Sequence, residues 1–78
     1  WRSEDYIATE ILTYYTASFF LDAYGIPENR TYDFIMLCIE SSDIEKDFKI
    51  KNYNGVLTIF KEKFPDYVYQ LSLMKKEN

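Results

Sequence analysis

Histidine is missing from the chain, and cysteine occurs once, as Cys38. Without histidine no Ser-His-Asp or Cys-His arrangement forms within it. A structural zinc site lacks ligands, and a disulfide lacks its second half, which favours a reducing, intracellular and cytoplasmic location. Glycine and proline occur twice each, as Gly25, Gly55, Pro27 and Pro65. That leaves no glycine-rich phosphate cradle and no flexible linker. There are only two arginines, Arg2 and Arg30, so the basic footprint of a nucleic-acid binder is missing. The longest uncharged run of the N-terminal half, Ile11 to Leu21, is too short to cross a bilayer. No segment has the form of a secretory leader. Catalytic, cofactor-binding and metal-ligating residues are therefore not expected, nor are enzymatic activity, a small-molecule substrate or membrane association.

Apolar residues are plentiful: 47% of the 78 residues, 19% of the chain being aromatic. This content argues against disorder and for one small globular domain over residues 1–78, which is compatible with a piece of a longer protein. Charge is uneven. Residues 1–45 hold nine acids and two bases, and residues 46–78 hold four acids and seven lysines, for net charges of −7 and +3 and the total of −4. Either the halves complement each other within the fold, or the N-terminal half presents an acidic surface.

Residues 4–24 contain neither glycine nor proline. Ser3 suits an N-cap, Glu4 and Asp5 suit the first turn, and Gly25 suits a left-handed C-terminal cap with Leu21 and Ile26 closing over it. The pattern predicts one helix over about 4–24, apolar on most sides and central in the fold, with Leu12 and Phe19 as core residues. A second element is expected over about 29–40, capped by Asn29 or Thr31. Its unbroken apolar run from Phe34 to Ile39 also fits a buried strand. Ser42-Asp43-Ile44-Glu45 fits a capping box that opens a third helix near Asp43.

The last third has two readings. Asn54-Gly55 is a two-residue hairpin signal, and Tyr67, Tyr69, Leu71 and Leu73 alternate as in a strand. Alternatively, Ile50, Tyr53, Leu57, Phe60, Phe64, Tyr67, Leu71 and Met74 follow a 3-4-3-4-3-4-3 helical spacing, broken into pieces at Gly55 and Pro65. The second match spans more chain. The expected fold is mainly α, a compact bundle of about four helices around the N-terminal one. The alternative is α+β, with two or three helices before a β-meander.

Few motifs carry chemistry. Cys38, between Leu37 and Ile39, reads as a buried, inert thiol. Asp43 and Asp47 read as solvated charges rather than a catalytic pair. Asn52-Tyr53-Asn54-Gly55 has the spacing of a calcium-loop core, but Ile50 and Lys61 would fall at the first and last ligand positions, where oxygens are required. Lys46, Lys49, Lys51, Lys61 and Lys63 allow a weak winged-helix-like DNA binder, against which stand Asp43, Glu45 and Asp47 in the recognition position.

The aromatic surplus points to a non-enzymatic protein–protein interaction module: a small regulator, inhibitor or assembly domain. With the eight-residue stripe turned inward, Val56, Ile59, Tyr69 and Leu73 form a second apolar stripe. These four are the expected interface with a protein partner or in a homodimer. The alternative function is an acidic nucleic-acid mimic, using Glu4, Asp5, Glu10, Glu28, Asp33 and Glu40.

Overall fold

The computed structural model of the chain describes residues 3–76. The described residues form α1 (Ser3–Tyr15), α2 (Ala17–Tyr24), a 3₁₀ turn (Glu28–Arg30), α3 (Thr31–Ser41), α4 (Ile44–Lys49) and α5 (Tyr53–Lys76). The fold is a mainly α, compact helical bundle. No strand occurs among the described residues, so the β-meander and the strand reading of Phe34–Ile39 are both overturned. α1 packs chiefly on α3, and α4 and α3 both pack on α5.

The expected single N-terminal helix is two helices. The chain bends at Thr16, which takes φ 72° and ψ 153°. Helix periodicity supplies the reason. α1 buries Ile7, Ala8 and Ile11, and α2 buries Phe20. Phe20 follows Ile11 by nine positions, about two and a half helical turns. On one straight helix they would face opposite ways. The bend turns Phe20 back into the core, where its ring stands 5.0 Å from Phe60 and 6.1 Å from Phe34. Leu12 and Phe19, expected in the core, are only half-buried against it. At the far end of α2, Gly25 is left-handed as expected (φ 72°), and its N–H donates to the Leu21 carbonyl at 2.9 Å. Ile26 is buried and Leu21 is 43% exposed.

Neither expected cap of the second element acts as one. The Thr31 hydroxyl donates instead to the Pro27 carbonyl at 3.4 Å. The capping box at Ser42 also forms differently. Its hydroxyl donates to the Cys38 carbonyl and accepts the Ile44 N–H at 3.3 Å. Glu45, expected to reach back to Ser42, pairs with Lys49 at 3.2 Å. The Ser3 side chain lies outside the described residues.

α5 overturns two readings at once. Asn54-Gly55 is the start of a helix, not a turn. The Asn52 side-chain oxygen accepts the Gly55 N–H at 3.2 Å, as an N-cap does at N3. A Cβ at Gly55 would lie 2.6 Å from Asn52 Nδ2 and 2.8 Å from Asp47 Oδ2, so a larger residue there would push these two side-chain ends aside. Nor does Pro65 break the helix. Proline inside a helix costs about 3 kcal/mol or more, but Phe60 and Phe64 on one side of it and Tyr67 on the other pack on the same core. Pro65 itself is exposed. The buried stripe runs through Val56, Phe60 and Tyr67, flanked by Phe64 and Leu71. Leu57, Ile50 and Met74, assigned to that stripe by spacing, are 37%, 64% and 50% exposed.

Candidate functional site

The four residues expected to form an interface do not share a surface. Val56 is fully buried: Phe60, Phe64, Tyr67 and Leu71 keep the expected register, but near the start of α5 the inward position falls to Val56, four residues before Phe60, and not to Leu57. Ile59 is half-buried against the core. Tyr69 and Leu73 are 61% and 37% exposed. They stand four residues apart on the C-terminal half of α5, on one side of the helix.

A groove of about 530 Å³ lies between α3 and α5. Met36 and Leu37 supply its apolar wall from α3, and Leu37 is exposed. Asp33, Glu40 and Asp66 rim it, with Lys63 as the opposing charge. Two cross-links hold the helices apart at this spacing. The Tyr67 hydroxyl donates to Asp33 Oδ2 at 2.7 Å and lies 3.3 Å from the Arg30 carbonyl. Lys63 Nζ donates to the Ser41 carbonyl at 3.4 Å, at the C-terminal end of α3, where the helix dipole favours a cation. Along α5 the groove wall passes from Asp66 to Gln70, and helical spacing places Leu73 and Met74 next on that side.

Glu10, Glu28, Asp33 and Glu40 lie on α1, the 3₁₀ turn and α3, and the Glu4 and Asp5 side chains lie outside the described residues. Lys49 is tied to Glu45 on α4. Lys61 and Lys63, two positions apart on α5, diverge by about 200° around the helix. Lys61 and Lys63 therefore do not share one face of α5. The described residues contain no group of three or more metal-ligand side chains of the His, Cys, Asp or Glu type. No helix in the described residues is long and apolar enough to cross a membrane.

Compared with known families, curated proteins and solved structures, the chain matches none. Its chemistry is therefore read from its own groups. Cys38 is buried, as its neighbours implied, and burial pushes its thiol up to about 12. Burial likewise raises the Tyr15 phenol to about 12 and, together with the Asp33 hydrogen bond, raises Tyr67. All three hold their protons more tightly in the fold than in the unfolded chain. In the unfolded chain the thiol ionises near 9.0 and the phenols near 10.0. Their contribution to stability is complete below those values and is lost as pH rises from about 9 towards 12. Urea melts at stepped alkaline pH should show stability falling through that window. Constant stability from pH 9 upward would contradict these assignments.

The groove was not visible in the sequence. Met36 and Leu37 sit inside the unbroken apolar run of α3, where periodicity cannot tell inward from outward. The Asp33–Tyr67 bond joins residues 34 positions apart, and nothing local marks it.

Proposed function

We propose that the chain is a non-enzymatic protein-interaction module whose docking surface is the α3/α5 groove and its continuation along α5. The observation that carries this reading is the groove itself, with an apolar wall at Met36 and Leu37 and three carboxylates against one lysine. Such a rim favours a partner segment with apolar side chains flanked by lysine or arginine. Tyr69, Leu73 and Met74 add exposed apolar area beyond the groove. The reading as a non-enzyme is supported by the lack of histidine and by the buried, protonated state of the one thiol.

Affinity capture from the source cell tests this with paired baits, the natural chain and Leu37→Asp. Leu37 is exposed, so the variant should fold with an unchanged helical spectrum. A specific partner should be retained by the natural chain, withstand moderate salt, and drop at least tenfold on the variant. A partner bound equally by both baits would remove the groove from consideration. One released simply by raising salt would favour the nucleic-acid mimic instead.

A further inference from the structure

The bend at Thr16 reconciles two faces that a straight helix cannot serve together. Ile7, Ala8 and Ile11 are buried on one side of the segment, and Phe20, two and a half turns past Ile11, is buried on the other. The whole reversal is concentrated in one residue. Thr16 N–H still donates to the Leu12 carbonyl at 2.8 Å, so α1 is regular up to this point. The backbone then takes φ 72° and ψ 153°. That region suits glycine and is strained for a β-branched side chain. Nothing buried holds Thr16 there. Its side chain is exposed, and its hydroxyl lies 3.3 Å from that of Ser18. From Ser3 to Tyr24 there is no glycine or proline, so the local sequence itself favours an unbroken helix.

We infer that α1 is a swapping arm, and that the α1-binding surface of α3 is an interface for α1 of a second copy of this chain. When Thr16 relaxes to helical angles, Ser3–Tyr24 becomes one straight helix about 33 Å long. Phe20 keeps α2 in its own core. Ile7, Ala8 and Ile11 then face away from that core and leave α3 uncovered. A second copy that has straightened in the same way supplies an identical α1 to cover it. The complementarity is that of the monomer, since α1 packs chiefly on α3 within the chain. The α1–α3 contacts re-form between copies, and the dimer relieves two strained residues. Short strained hinges favour this exchange. This inference does not rest on the α3/α5 groove.

The test is annealing of the natural chain, Thr16→Ala and Thr16→Gly. Each is concentrated, warmed to partial unfolding, cooled, and sized by chromatography with light scattering. Alanine favours the straight helix, and glycine accepts the bend without strain. The natural chain should yield dimer, with the dimer fraction several-fold higher in Thr16→Ala and several-fold lower in Thr16→Gly. The dimer should persist after dilution, because separating it requires α1 to leave a core. Monomer in all three proteins would overturn the inference. So would a dimer fraction equal in Thr16→Ala and Thr16→Gly, or a dimer that dissociates promptly on dilution and vanishes in Leu37→Asp. Thr16→Gly bends freely, so it reports even if Thr16→Ala folds poorly; a Thr16→Gly monomer melting below the natural chain would also overturn it.

Discussion

Phe20→Ala is expected to lose ~3–5 kcal/mol of folding free energy, the range of large-to-small changes at a buried aromatic. Stability of roughly 0.05–0.15 kcal/mol per residue gives a domain of 78 residues about 4–12 kcal/mol in all, so the loss is a large share of it. The ring is fully buried and stands against Tyr15, Phe19, Tyr24, Phe34 and Phe60, with centroids 5.0–6.2 Å away. Its removal leaves a cavity ringed by stiff neighbours that cannot collapse into it. The half-buried Leu12 and Phe19 have less area to lose, so Leu12→Ala and Phe19→Ala should cost distinctly less. Urea unfolding of the three variants decides the matter. Equal losses would mean that α1 and α2 share one continuous core face, and that the bend at Thr16 does not set which residues are inside.

The same contrast shows what the sequence could and could not reveal. Helical content was legible because it accumulates over many residues: no breaker between 4 and 24, and a long apolar spacing towards the C-terminus. The Gly25 cap was legible because a left-handed residue has few solutions. Cys38 was legible from its apolar neighbours. The bend was not, since local propensity at Thr16 opposes it and only the core's demand for both Ile11 and Phe20 imposes it. The sign was nevertheless present, in the half-turn shift of apolar phase between those two residues. Asn52 was hidden for a different reason. Asn54-Gly55 is the stronger short-range signal, and helix capping three residues before Gly55 becomes visible only once the following twenty residues are known to be helical. The groove was illegible altogether. It depends on which side of α3 faces α5, and the apolar run from Phe34 to Ile39 reads the same from every side.

Val56→Asp is expected to unfold the chain, while the Tyr69→Asp, Leu73→Asp double variant is expected to stay folded. Spacing alone treated the three residues as one stripe. Val56 is fully buried, within a core cluster whose members include Ile44 and Phe60. An aspartate there has no partner, and an uncompensated buried charge costs on the order of 3–5 kcal/mol, beyond the lost packing of the valine. Tyr69 and Leu73 are 61% and 37% exposed, on a stretch of α5 where Leu71 is the neighbour that packs against the core. Charges there remain solvated, and surface changes of this kind usually stay within about 0.5 kcal/mol. Circular dichroism with urea titration separates the cases. A folded Val56→Asp would mean that Leu57, not Val56, faces the core, restoring the register that spacing suggested. A double variant that unfolds would mean that the end of α5 is packed as tightly as its middle. If the double variant folds but no longer retains a partner that the natural chain holds, Tyr69 and Leu73 belong to the same docking surface as the groove; if it still retains that partner, the surface ends near Gln70.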